Sequence, residues 1–306
     1  MNIEVTRINQ GVTEYPAEYV KSVNEDYLYK LRGIAADIAE SRIEKPVILL
    51  SGPSGSGKTT SAMMISSILG ESGIVTHTIS MDNYFRSLSA DEKELAANGK
   101  MDLESPARID AELLSRQIEA ISSCEEVEIP QYNFKSSVRE DAGRRFLRKP
   151  GELVIFEGIH ALNPDVITVP DSHICKIYVS VRTRITNGGT VLHPSRVRLM
   201  RRMIRDGKFR KRTFRETMNM FHSVEEGENN YIMPFKYRSD YDVDTFMAYE
   251  PSVYKAFLAD GLKELGDFPE ISEILDVLED LHTLDESFVP GDSLVREFIG
   301  NGKFKY

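Results

Sequence analysis

Eight consecutive residues, Gly52-Pro53-Ser54-Gly55-Ser56-Gly57-Lys58-Thr59, carry the spacing G-x-x-x-x-G-K-[ST] of a phosphate cradle. Glycines at such positions allow positive φ and let backbone N–H groups close around phosphate oxygens without a Cβ in the way. Lys58 adds a mobile full charge and Thr59 a hard hydroxyl oxygen suited to Mg²⁺; Thr60 follows in the same turn. This pattern points to a bound nucleoside triphosphate. A second chemical group is Asp82, in Met81-Asp82-Asn83-Tyr84-Phe85, just past a β-prone segment. A third is Glu157, which closes the apolar run Leu153-Val154-Ile155-Phe156 and precedes Gly158. A carboxylate at the end of a strand, downstream of a phosphate cradle, can hold Mg²⁺ or its water ligands. The fourth is a run of ten cations between Arg196 and Arg215, including Arg202, Arg205, Arg210 and Arg212. Guanidiniums over a transferring phosphoryl group would neutralise the charge on its equatorial oxygens. The same run also fits a solvated basic helix or an RNA-contacting face.

Elements must position these groups. Val47-Ile48-Leu49-Leu50 reads as a short strand before the cradle, and Thr60 onward as the opening of a helix. A helix N-terminus directed at a phosphate contributes partial positive charge. Strands are expected over 73–80, 152–157, 174–181 and 241–247, and helices over 110–122, 252–265 and 269–281. Residues 129–134 start a hairpin or loop. The 196–215 run reads as one helix, whose Leu199, Met200, Met203 and Ile204 dock it beside the sheet. An acidic residue just past a strand's carboxyl end, such as Asp82, lies on the ligand side of an open α/β sheet. In the first 45 residues, Val20, Val23, Tyr27, Leu31, Ile34 and Ile38 recur at helical spacing and predict one amphipathic helix.

The totals bound the rest. At 306 residues and 41% apolar, the chain can build one α/β domain with extensions or two small domains. Its net charge of −10 argues against a general nucleic-acid binder. Cys124 and Cys175 stand apart without metal-ligand spacing, so a reducing compartment fits. The opening Met1–Arg7 stretch has no signal-peptide apolar region and no apolar run approaches membrane-spanning length. The expectation is a cytoplasmic protein with no membrane partner.

The succession Gly52–Thr59, Ser80-Met81-Asp82, Pro130-Gln131-Tyr132-Asn133-Phe134, Phe156-Glu157-Gly158 and Arg201-Arg202-Met203-Ile204-Arg205-Asp206 resembles the uridine kinase and phosphoribulokinase family over roughly residues 46–250. Residues 157–163, 227–234 and 293–300 resemble one bacterial uridine-kinase-like branch, often fused to TGS and threonyl-tRNA-synthetase-like segments; such segments are not among the 45 residues before the first strand. The resemblance implies a P-loop NTPase of nucleoside monophosphate kinase-like α/β fold, a parallel sheet flanked by helices. Around a kinase domain at 46–250 it leaves helical extensions at 1–45 and 251–306. It implies ATP or GTP as donor, Mg²⁺, and a nucleoside acceptor, uridine first, phosphorylated on its 5′-hydroxyl. Asp82 falls where the family places the carboxylate that takes the hydroxyl proton, and Glu104 where an Asp usually binds ribose hydroxyls. Tyr132 matches an aromatic beside the base; Arg202 and Arg205 match arginines near ribose and phosphate, and Arg210 and Arg212 the lid arginines. Two departures bear on the base: Ser137 stands where a histidine is common, and Tyr84-Phe85 replaces the usual Phe-Tyr order. The alternatives are a kinase for another hydroxyl acceptor, such as a phosphorylated sugar or a pantothenate-like molecule, and an NTP-binding, RNA-associated regulatory module. A homo-oligomer is left open.

Overall fold

The computed structural model describes residues 1–305, apart from the side chains of residues 141–143. Five parallel strands form the central sheet in the order Tyr241–Asp244, Ile174–Ser180, Val47–Ser51, Leu153–Glu157 and Thr76–Ser80. Strand residues alternate between faces, and the two faces are covered by different parts of the chain. Ile48, Leu50, Ile155 and Ile177 share a core with the helices that precede the sheet and those that follow it. Val47, Leu49, Val154 and Phe156 share another with Tyr84, Phe85, helix Ala111–Ser122 and the hairpin Val127–Asn133/Val138–Phe146. Burial on both faces is why the three inner strands are largely apolar runs, whereas the edge strands Thr76–Ser80 and Tyr241–Asp244 carry polar residues.

Both ends of the chain are part of the first core. The expected single N-terminal helix is instead a strand, Asn2–Glu4, and two helices, Val5–Glu14 and Pro16–Ser41. The strand pairs in parallel with Arg184–Asn187, which pairs antiparallel with Thr190–Leu192. Three residues are too few to give a readable strand signal; the partner strand creates it. The long helix docks on the cradle's helix, Lys58–Glu71, where Tyr27 Oη and Ser61 Oγ lie 2.7 Å apart and Arg32 pairs with Glu71.

The basic run is not one helix. Helix Pro194–Arg210 ends with Lys211 in the left-handed region at φ 55°, and a new helix, Phe214–Tyr231, starts at Thr213. Thr213 accepts from the Glu216 backbone N–H while the Glu216 side chain accepts from Thr213, a reciprocal cap that fixes the break. Arg212 therefore sits in a turn and Arg215 on a different helix. A similar cap, Ser89 with Glu92, starts helix Ala90–Ala97 inside what reads from sequence as a polar stretch. Among the described residues no helix is long and apolar enough to cross a membrane.

Candidate active site

The strand register brings the chemistry together. Glu157 stands opposite Leu50 on one side and Ser80 on the other, so the cradle, Glu157 and the Asp82 turn leave adjacent carboxyl ends of the sheet. Ser80 Oγ accepts from the Asp82 backbone N–H, opening a short 3₁₀ turn over Met81–Tyr84. Gly57 caps the cradle's helix at φ 85°, and a Cβ there would lie 2.7 Å from Leu294 Cδ1. At Gly52 a Cβ would meet the Val179 carbonyl oxygen at 2.0 Å, so the loop's first glycine is required by close approach to the neighbouring strand.

A cavity of about 660 Å³ opens here. Ser54, Gly55, Gly57, Lys58, Thr59, Asp82, Phe85, Glu104, Glu157, Arg202, Arg205, Arg210 and Arg212 all line it. Six cations and four carboxylates face this space, an excess of positive charge within a chain of net charge −10. Such focusing suits a polyanionic ligand. Burial lowers the Lys58 pKa, against the pull of Glu157, Asp82 and Glu297, and Lys58 Nζ donates to the Pro53 carbonyl at 3.1 Å. Burial pushes Asp82 up while Lys58, Arg108 and Arg210 draw it back. Glu157 is pushed up to about 7 by burial, opposed mainly by Lys58. Glu104 is raised by burial, with Arg202 and Lys58 opposing. Arg202 falls to about 10 through burial and the adjacent Arg205.

Three arginines of Pro194–Arg210 hold the cradle itself. Arg201, fully buried and doubly bonded to Glu250 at 2.8 and 2.9 Å, donates to the Gly55 carbonyl at 3.1 Å. Arg198 donates to the Ser54 carbonyl at 3.1 Å and pairs with Glu228 of the following helix. Arg202 reaches the Ser54 hydroxyl. Buried Asp206 gathers Arg205, Arg210 and Arg212 at 3.2, 3.2 and 3.5 Å. One carboxylate thus orients three guanidiniums without neutralising them all. Arg202 lines the cavity, and its Nε is buried with no hydrogen-bond partner among the described residues, unspent polar capacity beside the cradle.

Several expected site residues lie elsewhere. Tyr84 is fully buried behind the cavity, its hydroxyl donating to Gln117 Oε1 at 2.8 Å. Tyr132 backs the wall edge-on to Phe85, centroids 5.4 Å apart, and accepts from Arg108 at 3.1 Å. Ser137 occupies the hairpin tip at φ 54°, its carbonyl accepting from the Leu88 N–H at 3.0 Å. Thr60 is buried beneath Glu297, to which its hydroxyl donates. Gly52, Pro53 and Ser56 shape the loop from behind. In turn, Arg108 lines the cavity without having stood out in the sequence, as do Phe134 and Glu297, which stood within the motifs 130–134 and 293–300 but were given no site role. Arg108 lies 4.5 Å over the Phe85 ring. Its signal was its place two residues after Pro106, in the same loop as Glu104.

The Glu104 loop is held from behind by His160, 1% exposed, whose Nε2 donates to the Glu104 carbonyl at 2.8 Å. Burial lowers the His160 pKa to about 4. The folded chain therefore binds fewer protons at this site than the unfolded one between about pH 6.5 and 4. Its contribution is present above about pH 6.5 and is lost as pH falls through the folded value, an effect of up to about 3 kcal/mol. His160→Gln, which keeps an N–H donor but does not titrate, is expected to flatten stability against pH in this window. Denaturant unfolding at pH 7 and 4.5 reads it; equal slopes in both proteins would contradict the assignment.

Comparison with known proteins gives a consistent picture. The model of the Phosphoribulokinase / Uridine kinase family matches residues 47–248. A uridine kinase of Halobacterium salinarum is 33% identical over 192 residues, covering 62% of this chain and 76% of its own. Uridine-cytidine kinase 2-B of Danio rerio is 28% identical over 65% of this chain and 72% of its own. The solved structure of a possible uridine kinase from Bacillus stearothermophilus superposes with TM-score 0.41 at 16% identity, over 70% of this chain and 99% of that one.

Proposed function

This chain belongs to the Phosphoribulokinase / Uridine kinase family and is a phosphotransferase with a hydroxyl acceptor; from that premise we propose that it moves the γ-phosphoryl group of ATP or GTP to the 5′-hydroxyl of a pyrimidine nucleoside, uridine first. The observation that carries this reading is the shared cavity. Asp82 and Glu104 line it together with Lys58 and five arginines.

The acceptor's base would sit against Phe85 and Phe134, which lie 6.3 Å apart edge to face, with Arg108 over Phe85. Glu104 would accept from the ribose hydroxyls. The attacking 5′-oxygen bonds to the γ-phosphorus as the bond to the β-phosphate oxygen breaks; the hydroxyl proton passes to Asp82, and the nucleoside diphosphate leaves. Burial makes Asp82 more basic than an exposed carboxylate, which improves it as a proton acceptor. Lys58 and the cradle hold the β- and γ-phosphates, and Arg205, Arg210 and Arg212 face the equatorial charge. Thr59, Glu157 and Asp82 supply hard oxygens to one space. This donor set fits Mg²⁺, which is usually held by one or two carboxylates plus waters and phosphates. When bound, Mg²⁺ would neutralise phosphate charge.

The test is an acceptor panel of nucleosides, phosphorylated sugars and pantothenate with ATP and Mg²⁺. Acceptor-dependent ADP release is expected with uridine and cytidine; ATP binding without it for any nucleoside would overturn the reading. Arg212→Ala and Arg205→Ala are expected to lower kcat by about 10²-fold or more while acceptor KM changes little, because their charge acts chiefly on the transition state. Full kcat with lost, salt-sensitive RNA affinity would favour a binding role instead.

A further inference from the structure

The chain beyond Pro290 lies outside the family-matched residues 47–248, yet it walls a second cavity of about 580 Å³ beside the phosphate cradle. The two cavities share Thr59, Arg205, Arg210 and Glu297, whereas Asp82, Glu104 and Phe85 line only the first. In-line transfer sets acceptor and leaving group on opposite sides of the phosphorus. A triphosphate whose γ-group faces Asp82 would extend away from Asp82, and the residues shared by the two cavities leave the second open to the rest of the donor.

The wall is built, not loosely draped. Arg296 fixes its guanidinium on the carbonyls of Glu286, Val289 and Gly300 at 2.9, 2.7 and 3.3 Å. It is 9% exposed, and its Nε has no hydrogen-bond partner. Gly300 and Asn301 take φ of 84° and 57°, and the Lys303 N–H donates to the Gly291 carbonyl at 2.6 Å. Lys208 ties the turn to the arginine helix through the Ile299 carbonyl at 2.9 Å. Phe209 and Phe304 line the same space and offer it apolar rings.

We propose that this C-terminal turn forms the compartment for the base of the donor nucleotide, with an aromatic ring held against Phe209 and Phe304 on a turn that Arg296 braces. The proposal rests on the kinase reading above. A triphosphate alone would use the cradle and not this turn, so the comparison of two ligands isolates it.

The experiment is titration calorimetry of the full chain with ATP and with inorganic triphosphate, each with Mg²⁺. Phe304→Ala is expected to weaken ATP by about 10-fold, the scale of one lost base–aromatic contact, and to leave inorganic triphosphate within about twofold. Asn301→Gly, at an exposed position whose left-handed backbone glycine accepts, should weaken ATP in the same direction without a change in melting temperature. Unchanged ATP affinity in both variants, or equal weakening of the two ligands, would overturn the proposal. A protein that shows the ATP-selective loss but phosphorylates no nucleoside would retain this compartment while the acceptor assignment fails.

Discussion

Replacing Lys58 by alanine is expected to reduce nucleoside-dependent ADP formation by about 10²–10³-fold or more, the scale of removing one preorganised charge donor at a reacting centre. Lys58 Nζ lies in the cavity with its pKa lowered by burial and held up by Glu157, Asp82 and Glu297. Lys58 Nζ donates to the Pro53 carbonyl within its own loop, a neutral acceptor that a phosphate oxygen can replace. Removing it takes away a buried charge together with that charge's desolvation cost, and global stability should move little. The local effect is larger: Glu157, already pushed up to about 7, loses its main opposing cation and should titrate higher still. Lys58→Arg should not restore turnover, because a planar guanidinium cannot occupy the narrow loop as a compact ammonium does. Melting temperature, ATP affinity and turnover measured on one preparation decide this. Near-normal turnover in the alanine variant would end the assignment.

Residues that act through local spacing were legible in the sequence, and residues that act across distance were not. The cradle, its strand and its helix are contiguous, so Gly52–Thr59 announced themselves together. Asp82 and Glu157 were readable because Glu157 ends an apolar strand and Asp82 follows the strand Thr76–Ser80 by two residues, and parallel sheets gather strand ends at one edge. Arg201 stood among the ten cations of the basic run, yet it is a fully buried strut, because its partner Glu250 stands 49 positions away. Glu297 bonds Thr60 across 237 positions, and nothing in its own neighbourhood marks it as part of the site. The break at Lys211 was hidden by charge: ten cations in twenty residues drew the eye from the Thr213–Glu216 cap. Tyr84 shows the converse error. Its place beside Phe85 suggested the acceptor pocket, but a short turn alternates its side chains, sending Phe85 to the cavity and Tyr84 to Gln117.

Asp82→Asn is expected to lower kcat by about 10²–10⁴-fold, the span for a positioned proton acceptor, with ATP affinity and melting temperature retained. Geometry favours this over a capping role. In the turn Met81–Tyr84 the cap is Ser80, whose hydroxyl accepts from the Asp82 N–H at 3.3 Å. The Asp82 carboxylate is thereby left to face Lys58, Arg108 and Arg210. An amide of the same shape keeps the turn and the packing of Met81 and Tyr84 but cannot take a proton. Ser80→Ala is the matching control: it should cost about 1 kcal/mol, as lost caps do, with a far smaller effect on kcat. The pair separates chemistry from architecture, since one variant removes a proton acceptor and the other a structural hydrogen bond at the same turn. Calorimetric titration with ATP, thermal unfolding and uridine-dependent ADP formation would be read together. If Asp82→Asn instead lowers the melting point and keeps near-normal turnover, Asp82 is a structural residue and the proton must leave by another group, of which Glu157, pushed up to about 7 in the same cavity, is the first to test.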